Sequence, residues 1–416
     1  MWRFFLLVLI LLQSLVYFTF LKYLKSTRIY KPSLSWKVLI PFILFNVPFI
    51  LISLIYGRGF NPPEWFRIIG YYPFYVWQAA TFFIAMWLLA GKLLKLPFKI
   101  TILIARLISP LKDKINCFGE NKYVKKVDYS RRRFVRLATG VVSTYAFGGA
   151  VYGIIKHDKY EIDYIDIPIS NLPDELKGLT ITLISDIHSG QYMDEKDMRE
   201  YADVINSLES DIICIPGDFV NFEVKDVHPL TRAFRDLKAR YGIYGALGNH
   251  DFFQDATYIT KAILNESPVQ VLRNEHRKIT IGGKDLYVIG VDDTISSGSR
   301  MQEVLMYYGA MEEYLVKNEL TFSNSPKILL CHKPYGFDIL AARNIDLVLS
   351  GHRHGGQVVP IKFGEFNLSF AATVSRYIEG HYRLGNSNMY VSRGIGSVGL
   401  PVRINCPPEI TKITLV

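Results

Sequence analysis

Residues 179–188 read Leu-Thr-Ile-Thr-Leu-Ile-Ser-Asp-Ile-His, a β-branched apolar run that ends in two side chains able to bind a metal, Asp186 and His188. Its length and composition predict a buried strand over Leu179–Ser185. If the chain stays extended to the end of the run, residues i and i+2 point the same way, so Asp186 and His188 reach one ion together. The texture recurs downstream. Asp211–Pro216 runs into Gly217-Asp218, and Ile243–Leu247 into Gly248-Asn249-His250-Asp251. Lys327–Cys331 runs into His332, and Asp346–Ser350 into Gly351-His352-Arg353-His354-Gly355-Gly356. Leu286–Val291 and Met389–Ser392 are further candidate strands, and helices are expected at 194–208, 229–238 and 302–317. The first of these places Met198, Ala202, Ile205 and Leu208 at helical spacing. Strands alternating with helices make an α/β domain. Ligands of such sheets bind beyond the carboxyl ends of the strands, so five strand ends converge on one site.

Each signal alone is ordinary, because a single histidine beside an apolar strand is usually a satisfied core residue and a single Gly-Asp is usually a turn. Together they decide the matter: five of the nine histidines stand at these strand ends. The donors are carboxylates, imidazoles and a carboxamide, a set suited to Mn, Zn or Fe. Seven of them, Asp186, His188, Asp218, Asn249, His332, His352 and His354, are too many for one ion and suit two. The four cysteines, Cys117, Cys214, Cys331 and Cys406, lie far apart with no CxxC pair, which excludes a thiolate site.

The order D-x-H, G-D, G-N-H-D, H, G-H-x-H resembles the calcineurin-like metallophosphoesterase superfamily over about residues 178–416. The tail Tyr390-Val391-Ser392-Arg393-Gly394-Ile395-Gly396, with Leu400-Pro401-Val402-Arg403 and Pro408-Glu409-Ile410, resembles its exported bacterial cell-envelope branch of phosphodiesterases. The resemblance implies an α/β/β/α sandwich of two sheets and a hydrolase of phosphoric esters. It assigns Asp186, His188 and His354 to one metal, Asn249, His332 and His352 to the other, and Asp218 to both, with a bridging hydroxide as nucleophile. It leaves His250 beside the leaving group as the catalytic acid or a donor to the phosphate, with Asp251 positioned to fix its tautomer. Two departures narrow the class. Purple acid phosphatases need a tyrosine where this chain has Asn221, and Ser/Thr protein phosphatases need G-D-x-x-D-R-G, which is broken at the same residue.

Upstream the chain is of another kind. Residues 4–21, 38–56 and 68–91 carry no charge and are each long enough to span about 30 Å of hydrocarbon. A weaker uncharged stretch, 137–155, makes a fourth expected span, and 100–110 reads as an interfacial or cytoplasmic helix. Residues 1–156 hold 22 of the 48 basic side chains and four of the 38 acidic ones, so the net charge of +10 belongs to the membrane half. Residues 157–416, expected as the catalytic domain, are mildly acidic and lack the phosphate-neutralising surface of a nucleic-acid binder. Basic residues crowd the loop after the first span and the segment 92–136, marking the cytoplasmic side and putting the catalytic domain outside the cytoplasm of a bacterial, multi-pass membrane protein. Ser130-Arg131-Arg132-Arg133-Phe134-Val135-Arg136 resembles a twin-arginine export signal. The expected substrate is an envelope or lipid-linked phosphate ester. The alternative is a phosphoesterase-like domain that binds a ligand or signals without turnover.

Overall fold

The computed structural model describes residues 2–27, 30–48, 50–51, 64–107, 117, 122–156, 159–293, 300–318, 324–343, 345–364 and 366–416. The chain divides into two compact units with the boundary at Ile154/Ile155.

The N-terminal unit is helical. Among the described residues, three of its helices are long and apolar enough to cross a membrane: Leu7–Lys25, Ile68–Ala105 and Tyr129–Ile155. They overlap the first expected span and include the third and fourth. The second, 38–56, lies partly outside the described residues, and its described part begins in the helix Pro32–Leu44. The interfacial or cytoplasmic helix expected at 100–110 is not separate in its described part. It belongs to Leu96–Ala105, which follows Tyr72–Leu93 after two residues. Inside this unit Val16, Ala80, Ile84, Ala85 and Ala146 pack together. Beside them, the Gln13 side chain accepts from Asn46 Nδ2 at 2.6 Å and from Trp77 Nε1 at 3.0 Å, and donates to Gln78. Such side-chain bonds tie helices together where backbone groups are already satisfied.

The C-terminal unit is built on two six-stranded sheets. Its strands in chain order are β1 (Glu161–Ile167), β2 (Thr180–Leu183), β3 (Ile212–Ile215), β4 (Ile243–Gly245), β5 (Val269–Val271), β6 (Glu275–Ile281) and β7 (Lys284–Gly290). There follow β8 (Lys327–Leu330), β9 (Leu347–Ser350), β10 (Ile361–Phe363), β11 (Phe366–Leu368), β12 (Gly380–Leu384), β13 (Ser387–Val391) and β14 (Glu409–Leu415). One sheet runs β1-β14-β2-β3-β4-β5 and the other β12-β13-β9-β8-β7-β6, while β10 and β11 form a separate hairpin. The centre of each sheet is parallel: β2 to β5 in the first, β7-β8-β9-β13 in the second.

Strand periodicity explains the layers. In β3, Ile212 and Cys214 enter the apolar layer between the sheets, meeting Leu286, Val288, Ile328, Leu330, Leu347 and Leu349 of the second sheet. Ile213 and Ile215 point the other way, against Met198, Ile205, Leu230, Ile259 and Ile263 of the outer helices. Leu329, Val348 and Met389 do the same on the far side against Met311, Leu315, Phe337 and Leu340. Both faces of each central strand are therefore buried, which is why these strands read as unbroken apolar runs. The expected helix at 194–208 is Glu195–Ser207, started by Asp194, whose carboxylate accepts from the backbone of Lys196 and Asp197. The result is the α/β/β/α sandwich of a metallophosphoesterase fold.

Candidate metal centre

The carboxyl ends of β2, β3, β8 and β9 bring Asp186, His188, Asp218, His332, His352 and His354 together at one end of the sandwich. Asp186 Oδ1 lies 3.3 Å from His354 Nε2 and 3.9 Å from His188 Nε2. Asp218 Oδ2 lies 3.6 Å from His188 Nε2 and 3.1 Å from His332 Nε2. Three groups of donor atoms follow, each drawn within 4.8 Å: Asp186, His188 and His354; His188, Asp218 and His250; Asp218, His332 and His352. Asn249 stands at the end of β4, buried, with its Oδ1 lacking any hydrogen-bond partner among the described residues.

The backbone reaches this arrangement by an unexpected route. The segment 184–188 is not extended: β2 stops at Leu183, and both Asp186 (φ 51°) and His188 (φ 50°) are left-handed. Asp218, His352 and His354 are left-handed too, at 56°, 69° and 49°. Such a conformation costs a non-glycine residue on the order of 1–3 kcal/mol, and clusters of it mark functional sites. Two ligands on one side therefore arise from alternating left-handed turns, not from the pleat of a strand. Glycine makes the packing possible. A Cβ on Gly351 would stand 2.1 Å from Asp186 Oδ2, and one on Gly248 would stand 2.2 Å from Asp218 Oδ1.

Neighbours orient the imidazoles. His332 Nδ1 donates to Pro216 O at 2.8 Å, which aims Nε2 at Asp218. His250 is set in the same way, with Nδ1 donating to Asn221 O at 2.8 Å while its backbone N–H donates to Asp218 Oδ1 at 2.8 Å. The expected tautomer-fixing contact from Asp251 does not form. That carboxylate is turned inward and accepts from Gly248 N at 2.9 Å and Val220 N at 3.1 Å. Adjacency in sequence misled here, because residues 250 and 251 lie on different sides of a short helix. Arg403, in the tail that the sequence marked without a role, is buried under the site. It donates to the carbonyls of Arg393 and Gly394 and comes within 3.5 Å of His354 Nδ1.

Electrostatics favour a cation. Burial, then the charge of His250, holds His188 well below the ordinary histidine range; burial, then His332, does so for His352. Burial and Arg403 push His354 down to about 4 against the opposing pull of Asp186. These three rings stay neutral and keep their lone pairs. Burial works against the Asp218 anion, but His332 and His188 outweigh it and hold that carboxyl well below its usual range. Burial likewise opposes a charged His332, and the Asp218 carboxylate overrides it, raising the ring to about 10. Burial and then Asp218 push Asp251 up to about 7. His188 Nε2 and His354 Nε2 also face one another at 3.1 Å. Facing imidazole nitrogens, buried carboxylates and an orphaned amide oxygen fit divalent cations.

Residues 179–356 match the model of the family described as calcineurin-like phosphoesterase. The chain is 31% identical over 274 residues to a transmembrane protein with metallophosphoesterase domain from Danio rerio, covering 64% of this chain and 60% of the relative. It is 28% identical to the Bos taurus protein of the same description, covering 70% and 65%. It is 28% identical to the metallophosphoesterase YkuE of Bacillus subtilis, covering 69% of this chain and 97% of that one. The chain thus spans about 60% and 65% of the lengths of the two transmembrane relatives. Motif order, sandwich and ligand cluster coincide with the matched region, and residues 179–356 are similar to metallophosphoesterase domains of the calcineurin-like superfamily.

Proposed function

We propose that the chain is a membrane-anchored hydrolase of phosphoric esters with a two-metal centre. The observation that carries this reading is the position of Asp218, whose Oδ2 lies 3.6 Å from His188 on one side and 3.1 Å from His332 on the other. One carboxylate thus stands between two ligand groups. Asp186, His188 and His354 would hold one ion, Asn249, His332 and His352 the other, and Asp218 both; Mn, Zn and Fe suit these donors. When bound, such ions supply Lewis-acid polarisation of phosphoryl oxygens and a water deprotonated near neutral pH. His250 supplies a proton to the leaving oxygen from Nε2, because Nδ1 is engaged with Asn221 O. Asp251 holds the turn that carries His250 by accepting from Gly248 N and Val220 N.

Residues 1–156 are the membrane region, with about four spans, and 157–416 the catalytic domain. The basic segment 92–136 supports a catalytic domain outside the cytoplasm of a bacterial cell, acting on an envelope or lipid-linked phosphate, as in an exported branch of the superfamily. Two experiments test the reading. The full chain in nanodiscs, supplied with Mn, is expected to hydrolyse aryl phosphomonoesters or phosphodiesters and to stop on chelation. Metal bound without turnover of any ester would favour a ligand-binding or signalling role. An alkaline phosphatase fused to the C-terminus is expected to be active, and an inactive fusion would reverse the orientation.

A further inference from the structure

The hairpin of β10 and β11 is built inside out. Its register pairs Ile361 with Leu368, Lys362 with Asn367 and Phe363 with Phe366. Cross-strand partners share a face, so Ile361, Phe363, Phe366 and Leu368 form one side and Lys362 and Asn367 the other. The polar side is the one held to the domain: Lys362 Nζ pairs with Glu379 at 2.8 Å, and Asn367 Nδ2 donates to Gly355 O and to Glu379 at 3.2 Å each. The apolar side faces outward, with Phe363 84% and Phe366 58% exposed, and Phe370 just beyond at 82%. A half-buried hairpin in water does the opposite. An exposed apolar patch of this kind marks a contact with protein or membrane.

The chain's own connectivity favours the membrane. Gly355, which Asn367 grips, packs so closely on Arg393 that a Cβ there would meet its Cγ at 2.8 Å. The guanidinium of Arg393 reaches Asp163 at 2.8 Å and Glu161 at 3.2 Å, in the first residues of β1. Hairpin and chain entry are therefore joined within this unit through Gly355 and Arg393. Immediately upstream, Tyr129–Ile155 is long and apolar enough to span a bilayer. Five residues separate Ile155 from Glu161, and a fully extended chain of that length reaches roughly 20 Å at most. The first residues of β1 can therefore lie no farther than that reach from the end of the span.

We propose that the Ile361, Phe363, Phe366 and Leu368 face, with Phe370, lies in the headgroup region of the bilayer that anchors the chain. This contact holds the loop of His354, next to Gly355, at the lipid surface, where it meets a phosphate ester presented by that surface. The substrate half of the inference rests on the phosphoesterase reading; the docking half does not. The test uses the full chain in phospholipid nanodiscs, with Cys117→Ser removing the exposed thiol. Phe363→Cys and, separately, Phe370→Cys are labelled with an environment-sensitive fluorophore, and Lys278→Cys on the far edge strand β6 serves as the reference. At 363 and 370 the emission is expected to shift to the blue and to lose intensity when doxyl-chain lipids are included, with neither change at 278. Water-like emission at all three positions overturns the proposal. Blue-shifted emission that doxyl lipids leave undimmed also overturns it, because a protein surface or a second copy then covers the face. The measurement needs no turnover, so it stands apart from a failure of the phosphoesterase reading.

Discussion

The two sheets make unequal contributions to the site. The first sends in both carboxylates and the amide, through Asp186, Asp218 and Asn249 at the ends of β2, β3 and β4, together with His188 and His250. The second sends in only imidazoles, His332, His352 and His354 at the ends of β8 and β9. Neither sheet alone holds a balanced ligand set. The donor atoms come together where the ends of the two sheets meet, and Asp218 and Asp186 are the anions against which the histidines of the second sheet are set, at 3.1 and 3.3 Å. The lesson is that the centre depends on how closely the two sheet ends approach, and less on any single strand.

The most damaging way to break this relation is to push the ends apart. Gly351 belongs to the second sheet, and a Cβ there would overlap Asp186 Oδ2 and Ser185 Oγ of the first, each at 2.1 Å. Gly351→Ala is expected to lose metal binding outright and to cost roughly 1–3 kcal/mol of stability through overpacking, read by metal analysis and denaturant titration. A variant with native metal content would mean that the sheet ends yield easily. Next in size is His250→Gln, which removes the one histidine of the first sheet that is surplus to the ligand count. It is expected to keep near-native metal content and to lose roughly 10²–10⁴-fold in rate on alkyl esters, with a smaller loss on aryl esters. Loss of an ion instead would make His250 a ligand, as its place in the group with His188 and Asp218 allows.

A gentler change sharpens the second sheet's share. Arg403 supports the Arg393–Gly396 turn and approaches His354, so Arg403→Gln is expected to weaken metal affinity by about 10–100-fold, measured by competition with a chelator. The smallest effect is one of pH. Burial, then the charge of Glu223, raises the Asp226 carboxyl to about 6. Its folded value lies above the unfolded one, so its contribution to stability is full below about pH 4 and is lost as pH rises through 6. Asp226→Asn is accordingly expected to raise the melting temperature at pH 8 and to change it little at pH 4. The reverse order would remove Asp226 from the account.

What was legible in the sequence follows from the same division. The central parallel strands were readable because both faces are buried, as in Ile212–Ile215, where every residue is inside. Edge strands were not. Glu275–Ile281 carries Glu, His, Arg and Lys in its first four places and pairs only on one side, with β7, so neither apolar run nor strict alternation announces it. The hairpin of β10 and β11 escaped for a related reason, since its alternation points away from the core. Asp186, His188, Asp218, His250, His332, His352 and His354 converge because motif order encodes them, but the left-handed turns that aim Asp186 and His188 carry no signal in residue type. The contact of Asn221 O with His250 was invisible as well, because a backbone carbonyl belongs to every residue alike.

The central claim is that one carboxylate of the first sheet is shared between two ions. Metal content and affinity of Asp218→Asn, measured by mass spectrometry and calorimetry beside the unaltered full chain, test it most directly. The account predicts two ions per chain in the unaltered protein and weakened binding of both in the variant. A variant that keeps one ion at full affinity while losing the other would contradict it.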